Sequence, residues 1–180
     1  MQNDIARVLL TEEELHERVK ALGEAITADY KGKELLVVGI LKGSNVFMSD
    51  LIRQINMPLN IDFMIVSSYG NATESTGVVK IMKDIEQSIS DKHVLIVEDI
   101  IDSGLTLKYL TEMLNTRKPA SIKLCTLLDK PARRKENVDV DYIGFEMPDE
   151  FIVGYGIDYA EYYRNLPFVG ILKPEVYENK

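Results

Sequence analysis

The residues with the clearest chemistry in this chain are three acids that follow a predicted strand. Four apolar residues, Val94–Val97, predict a buried strand, and Glu98, Asp99 and Asp102 come directly after it. The next residues, Ser103–Thr106, form a small hydroxyl-rich loop that runs into a helical pattern. Neighbouring carboxylates can accept hydrogen bonds from sugar hydroxyls and can bind Mg²⁺, which prefers oxygen ligands. A loop at a helix N-terminus favours an anion, so the segment predicts a site for a sugar phosphate and a metal ion.

The alternative interpretation of this segment is a strand end with solvated acids, followed by an ordinary capped helix. Gly104 favours the binding site, because glycine tolerates the positive φ and the close backbone approach that a phosphate loop needs. Three acids together with such a loop are also more than a surface turn requires.

The elements that must position these residues alternate between apolar strands and helices. Thr11 and Glu14 match a capping box, which predicts a helix from Thr11 to about Gly32. The other predicted elements, in chain order, are strand Leu35–Ile40, helix Val46–Ile55, strands Leu59–Ser68 and Val78–Lys83, helix Leu105–Asn115, and strands Ile122–Leu128, Tyr142–Phe145 and Phe151–Val153. This alternation predicts an α/β fold with a central, mostly parallel sheet flanked by helices.

Four candidate functional segments begin where predicted strands end, which is where such sheets bind ligands. They are Leu41–Ser44, Ser68–Gly77, Glu98–Thr106 and Asp129–Arg134. The first could cradle a phosphate or be an ordinary turn, because its Lys-Gly order does not match a Walker A loop. The second could be a lid or a long flexible hairpin.

Composition limits the class of protein. The chain has 180 residues, 46% of them hydrophobic and 28% charged, as expected for one globular domain over residues 1–180. The net charge of −8 argues against a dedicated nucleic-acid binder, and a single cysteine, Cys125, excludes an internal disulfide. We find neither a signal peptide nor a membrane-spanning apolar run, so a cytoplasmic protein without membrane or nucleic-acid partners is expected.

The segment Glu98–Thr106 resembles the ribose-phosphate signature of the type I phosphoribosyltransferases, and its Glu-Asp-Ile-Ile-Asp-Ser-Gly form resembles the hypoxanthine/guanine phosphoribosyltransferases in particular. The resemblance can be followed from Gly39 to Lys173. It implies the fold of that family, with a small hood formed by the chain ends. It also implies Mg²⁺-dependent transfer of 5-phosphoribosyl from 5-phosphoribosyl 1-pyrophosphate (PRPP) to hypoxanthine or guanine, giving IMP or GMP and pyrophosphate.

The resemblance also implies roles for individual residues, with Asp102 as the catalytic acid/base. The expected contacts are ribose and phosphate at Glu98, Asp99, Ser103, Gly104, Leu105 and Thr106; pyrophosphate at Lys42, Gly43 and Arg164; purine at Lys130, Phe151, Ile152 and Asp158; the lid at Ser68 and Tyr69; and Mg²⁺ at Glu98, Asp99 and Asp158. Leu105 stands where other members can carry a polar residue, so only its backbone N–H is expected to contribute.

Without the resemblance, three of these residues favour simpler interpretations. Lys130 would be a solvated lysine in a basic turn, Phe151 part of a core strand, and Arg164 one half of a surface salt bridge. The family often has a cis peptide at the position matching Leu41-Lys42, which the sequence leaves open.

Two other functions on the same fold are considered. One is a non-catalytic regulator that senses PRPP or nucleotides; Asp102 argues against it, because a sensor need not keep the acid/base. The other is a pyrimidine or adenine enzyme; the pairing of Lys130 with Phe151 argues against it, and a lysine cannot accept a hydrogen bond from the 6-amino group of adenine. A homodimer or homotetramer is expected by analogy with the family.

Overall fold

A computed structural model describes residues 1–68 and 79–178 of the chain, which form two β-sheets and their helices. The strands are β1 Ile5–Leu10, β2 Leu35–Leu41, β3 Asn60–Ser68, β4 Val79–Lys83, β5 His93–Ile101, β6 Ser121–Asp129, β7 Tyr142–Glu146, β8 Ile152–Val153 and β9 Val169–Leu172. The helices are α1 Glu12–Tyr30, α2 Asn45–Gln54, α3 Leu105–Asn115 and α4 Pro174–Tyr177.

Within residues 1–68 and 79–178, the central sheet has six strands in the order β4-β3-β2-β5-β6-β7, and only β4 runs antiparallel to its neighbour. Residues Leu35–Ile40 of β2 are all buried, as expected for a strand covered on both faces. One core cluster packs α1 and α2 against the sheet, and a second packs α3 against it. The predicted α/β fold is confirmed.

The first helix begins as its sequence predicts. The backbone N–H of Glu14 donates to Thr11 Oγ1 at 3.2 Å, and the Thr11 N–H donates to Glu14 Oε2 at 2.8 Å. This capping box satisfies two backbone donors that a helix end leaves unpaired. Among the described residues, the helices are either too short or too polar to cross a membrane.

The fifth strand is longer than predicted, and this corrects the position of two acids. β5 continues to Ile101, so Glu98 and Asp99 lie within the strand rather than after it. Its pairing with β2 ends at Val97, whereas its pairing with β6 continues to Ile101. The last residues of β5 therefore have a strand neighbour on one side only, and the other side faces the segment that follows β2.

The hood is a three-stranded antiparallel sheet in the order β1-β9-β8. It joins the two ends of the chain, because Ile5 pairs with Leu172 and Leu10 with Val169. The predicted hood is confirmed, but the sequence patterns missed β1 and β9. Half of the residues of β1 are exposed and in one run, so the strand shows no core-facing alternation, and β9 has only four residues, all buried.

Candidate active site

The predicted site residues lie where the carboxyl ends of the central strands meet the hood. A cavity of roughly 620 Å³ there is lined by the predicted residues Asp102, Lys130, Phe151, Ile152 and Asp158. A second hollow of roughly 110 Å³ is lined by Glu98, Asp102, Ser103, Gly104 and Thr106. Asp102 lines both spaces, so it lies where they meet.

Glu98 and Asp99 are partly buried acids at the end of β5. Burial raises the pKa of Glu98 well above its ordinary value, and the neighbouring Asp99 charge raises it further. Burial also raises the pKa of Asp99 to about 6, although hydrogen bonds such as the one from the Ile100 N–H, at 2.9 Å, oppose the rise. A cation bound at this pair would stabilise both ionised carboxylates.

This donor set fits an Mg²⁺ ion that is shared with a substrate. In residues 1–68 and 79–178, no three His, Cys, Asp or Glu side chains are grouped to hold a metal ion alone. Mg²⁺ often takes only one or two carboxylates and completes its shell with water and substrate phosphates, and Glu98 and Asp99 suit that arrangement. Asp158, which is expected to bind a second Mg²⁺ ion, is ion-paired with Arg164 at 2.8 Å from Oδ1 to Nη2.

Gly43 brings the segment after β2 against the end of β5. The Leu41-Lys42 peptide that precedes it is cis. A Cβ atom on Gly43 would overlap the Asp99 carboxylate, and a Cβ atom on Gly156 would overlap the Gly43 carbonyl oxygen. The loop is therefore packed between the central sheet and the 154–157 turn, and both contacts require glycine.

The predicted phosphate loop, Ser103–Thr106, leads directly into α3. Gly104 is the N-cap residue and has a φ of +81°, as its sequence position predicts. The Ser103 carbonyl accepts hydrogen bonds from the N–H groups of Lys135, at 2.9 Å, and Glu136, at 3.1 Å. The loop is thus held by the chain that follows Lys130, and its backbone offers an anion site at the start of α3.

Asp102 lines both spaces, and one oxygen of its carboxylate has no partner among the described residues. Its Oδ2 lies 3.5 Å from Arg133 Nη1, and the same guanidinium also binds Asp149. Its Oδ1 is buried and has no hydrogen-bond partner within the described part of the chain. The Asp102 carboxylate lines the larger cavity, where it can accept a hydrogen bond or a proton from a ligand.

Lys130 is a buried residue and not the solvated lysine of the simpler interpretation. Only 6% of it is exposed, and its Nζ donates to the Glu150 carbonyl at 2.7 Å. Burial lowers the pKa of the Lys130 ammonium. An ammonium has three N–H donors, so the remaining ones can reach a carbonyl oxygen on a ligand.

Phe151 lies just before β8 rather than inside it, and the residue is 39% exposed. The ring stacks on Tyr177 at a centroid distance of 4.7 Å and meets the edge of Tyr159 at 5.3 Å. Ile152, in contrast, is buried in β8 and pairs with Ile171. The exposed aromatic ring at the cavity suits stacking with a planar base.

Lys42 and Arg164, the two side chains expected to bind pyrophosphate, meet at Glu161. Glu161 Oε2 lies 2.8 Å from Lys42 Nζ and 3.6 Å from Arg164 Nη2. The hydrogen bond from Lys42, followed by its charge, lowers the pKa of Glu161. Arg164 also donates to the Gly156 carbonyl at 2.9 Å and binds Asp158, so it is held on several sides.

The two expected lid residues remain predictions. Ser68 is the last residue of β3, and Tyr69 lies outside the described residues.

Three residues of the site were not predicted from the sequence: Arg133, Glu161 and Tyr177. Arg133 stands in the basic turn after Lys130, and Glu161 stands three residues before Arg164, but such charges are common on ordinary surfaces. Tyr177 gave no usable signal, because its contact with the site depends on how the hood folds.

Comparison with known proteins gives a consistent family. Residues 9–160 match the phosphoribosyl transferase domain family. The chain is 58% identical over 179 residues to a hypoxanthine-guanine phosphoribosyltransferase of Staphylococcus aureus, covering 99% of this chain and 100% of that protein. It is 57% identical over 177 residues to the bifunctional protein TilS/HprT of Listeria innocua, covering 98% of this chain. The chain spans only 27% of the length of that bifunctional relative.

The fold agrees with the sequence comparison. A crystal structure of a hypoxanthine phosphoribosyltransferase from Staphylococcus aureus superposes with a TM-score of 0.97 at 58% identity. The match covers 99% of this chain and 97% of that chain. The chain therefore belongs to the hypoxanthine-guanine phosphoribosyltransferase family.

Proposed function

We propose that the chain transfers the 5-phosphoribosyl group of PRPP to hypoxanthine or guanine, giving IMP or GMP and pyrophosphate. The observation that carries the proposal is the position of Asp102, which lines both the larger cavity and the hollow beside the phosphate loop. The larger cavity suits the base, because it combines the Phe151 ring with the Lys130 ammonium. The hollow suits the 5′-phosphate, because Ser103, Gly104 and Thr106 line it at the start of α3.

In this reaction N9 of the purine attacks C1 of the ribose. The bond between C1 and the pyrophosphate oxygen breaks, and pyrophosphate leaves with the bonding electrons. The base loses a proton as it becomes a neutral product, and the Asp102 carboxylate is the proposed acceptor near N7. Alignment of base, sugar and leaving group supplies much of the rate.

The leaving group gains negative charge as the bond breaks. The proposed donors to it are Lys42, Arg164 and the backbone around Gly43, which stabilise that charge in the transition state. Glu98 and Asp99 are proposed to hold the ribose hydroxyls and an Mg²⁺ ion. When bound, Mg²⁺ neutralises charge on the pyrophosphate group.

The preference for a 6-oxopurine is proposed to rest on Lys130. Its ammonium donates hydrogen bonds and cannot accept them, so it favours the 6-oxo group of hypoxanthine and guanine over the 6-amino group of adenine. The backbone of Ile152, near Asp158, is proposed to contact the 2-position of the base.

We also propose that residues 1–180 act as one unit in a cytoplasmic homodimer or homotetramer. Residues of both sheets line the larger cavity, which supports a single functional unit. The apolar side chains of Ile61, Ile65 and Met82 on β3 and β4 are exposed. They support self-association, because burying apolar surface against a second copy of the chain is favourable.

The test of the function is a spectrophotometric assay with PRPP, Mg²⁺ and five bases: hypoxanthine, guanine, xanthine, adenine and uracil. We expect turnover with hypoxanthine or guanine and none with adenine or uracil. Asp102→Ala should lower kcat by roughly 10²- to 10⁴-fold, the usual range for a lost acid/base. The matched control is Asp139→Ala, which removes an exposed acid on the chain before β7.

No turnover with any base, together with retained PRPP binding, would contradict the proposal and favour the regulator. Full activity of Asp102→Ala would instead agree with the proposed enzymatic function but show that Asp102 is not the acid/base.

A further inference from the structure

One carboxylate oxygen occupies the position between the two cations expected to bind pyrophosphate. Glu161 Oε2 lies 2.8 Å from Lys42 Nζ and 3.6 Å from Arg164 Nη2. A pyrophosphate oxygen held by the same two side chains would make the same contacts. Glu161 and pyrophosphate therefore cannot both use these cations in this arrangement.

The ion pair between Lys42 and Glu161 is easily broken. The side chains of Lys42 and Glu161 are 66% and 65% exposed, and an exposed ion pair adds little free energy because water screens it. Pyrophosphate carries several negative charges, so it attracts the two cations more strongly than one carboxylate does. An incoming pyrophosphate group can thus displace Glu161.

The other contacts of this segment are better protected. Arg164 binds Asp158 Oδ1 at 2.8 Å in a pair that is only 25% and 30% exposed, and it also donates to the Gly156 carbonyl at 2.9 Å. The backbone N–H of Glu161 donates to Asp158 Oδ2 at 2.9 Å. These bonds do not involve the Glu161 side chain, so the carboxylate can swing away while Arg164 and the backbone stay in position.

We propose that Glu161 is an internal anion that holds Lys42 and Arg164 when pyrophosphate is absent and competes with pyrophosphate for them. The inference rests on the proposed function, which assigns these two cations to the leaving group. Glu161 keeps two like charges close together in the free enzyme. After the transfer step it recaptures both cations and so weakens the binding of the pyrophosphate product.

The test is Glu161→Gln, which keeps the size of the side chain and its backbone bond to Asp158 but removes the charge. We measure pyrophosphate binding by calorimetry and the inhibition constant for pyrophosphate in the transfer assay. Pyrophosphate should bind about 2- to 5-fold more tightly to the variant, the range that the loss of an exposed ion pair allows. The gain should shrink at high salt, and KM for the base should not change.

Glu34→Gln is the matched control. Glu34 is paired with Lys92 at 3.3 Å, and its side chain is 61% exposed. It directly precedes β2, whereas Lys42 directly follows that strand. The Glu34→Gln substitution removes one negative charge, as Glu161→Gln does, but does not touch Lys42 or Arg164. It should therefore leave pyrophosphate binding unchanged. A variant that merely misfolds would bind pyrophosphate less tightly, which is the opposite of the expected change.

The variants Lys42→Ala and Arg164→Ala distinguish an error in the role of Glu161 from an error in the proposed function, which assigns these two cations to pyrophosphate. If both variants bind pyrophosphate more weakly but Glu161→Gln does not bind it more tightly, Glu161 is no competitor and only this inference is overturned. If neither Lys42→Ala nor Arg164→Ala weakens binding, the assignment of these cations to pyrophosphate is wrong, and the role of Glu161 is overturned with it.

Discussion

Asp99 is more costly to ionise in the folded protein than in the unfolded chain. Its folded pKa is raised to about 6 by burial, whereas an unfolded aspartate titrates at about 4. Between these two pH values the folded state binds more protons than the unfolded state. The stabilising contribution of the protonated form is therefore complete below about pH 4 and is lost as the pH rises towards 6.

We therefore expect Asp99→Asn to be more stable than the parent protein at pH 7 when metal is absent. The amide carries no charge, so the gain should be on the order of 2 kcal/mol, or several degrees in Tm. It should disappear near pH 4, where the parent carboxyl is protonated. Thermal unfolding with a chelator across pH 4 to 8 measures the difference.

The control for this prediction is Asp139→Asn, which neutralises an exposed acid and should change stability little. Mg²⁺ and PRPP together should stabilise the parent at pH 7 more than the Asn variant. Equal stability of parent and variant at pH 7 would mean that the Asp99 charge is already compensated in the metal-free fold.

At the scale of elements, the site depends on the uneven pairing of β5. The strand keeps β6 as a neighbour to Ile101 but loses β2 after Val97. The segment after β2 fills the side that is left open, and Gly43 packs its backbone against Asp99 there. The acids and the pyrophosphate loop are thus positioned by the ends of two adjacent strands.

Gly43→Ala should abolish most activity without unfolding the protein. The added methyl group would overlap the Asp99 carboxylate, so the loop or the acid must move by about 1 Å or more. Displacements of that size can lower kcat/KM by about 100-fold. Kinetics with PRPP, alongside a melting curve, measures both effects.

Gly32→Ala is a useful contrast for Gly43→Ala. A Cβ atom there would have no described atom within 4 Å, but the Gly32 φ of +78° disfavours alanine. This variant should lose about 1 kcal/mol of stability and keep its activity. Normal activity of Gly43→Ala would show that the close approach to Asp99 is not required.

At the scale of the whole molecule, the sequence predicted those features that depend on residues close together in the chain. The capping box of Thr11, the positive φ of Gly104 and the buried strands of the central sheet were all predictable, because each depends on neighbouring residues. The extension of β5 past Val97 was not, because it depends on pairing with β6.

The hood and its contacts could not be predicted from local sequence patterns, because they join residues that are far apart in the chain. β1 pairs with β9 across more than 150 residues of chain, and the bond between Lys42 and Glu161 joins residues 119 positions apart. The roles of Lys130 and Phe151 came from family resemblance alone, since each residue type is ordinary on a surface or in a core.

The hood also carries a prediction about base binding. Tyr177 of α4 stacks on Phe151 at 4.7 Å with an interplanar angle of 19°, so it holds the ring that is proposed to stack on the base. Tyr177→Ala should raise KM for the base by about 2- to 10-fold, the value of one aromatic pair, and leave KM for PRPP unchanged. Steady-state kinetics with each substrate varied in turn measures both constants.

Tyr177→Phe keeps the stacked ring and should behave as the parent protein does. A similar rise in both KM values of Tyr177→Ala would point to a general loosening of the hood and not to a role at the base.

The pairing of β1 with β9 has a consequence for the synthesis of the chain on the ribosome. The central sheet, with its acids and phosphate loop, is complete once β7 has emerged at residue 146. The wall of the base cavity that includes Leu172 and Tyr177 emerges after β7, whereas its partner strand β1 emerges before the central sheet. A nascent chain should therefore gain the phosphate loop before it gains a closed cavity for the base, and β1 cannot pair with β9 until β9 has been translated.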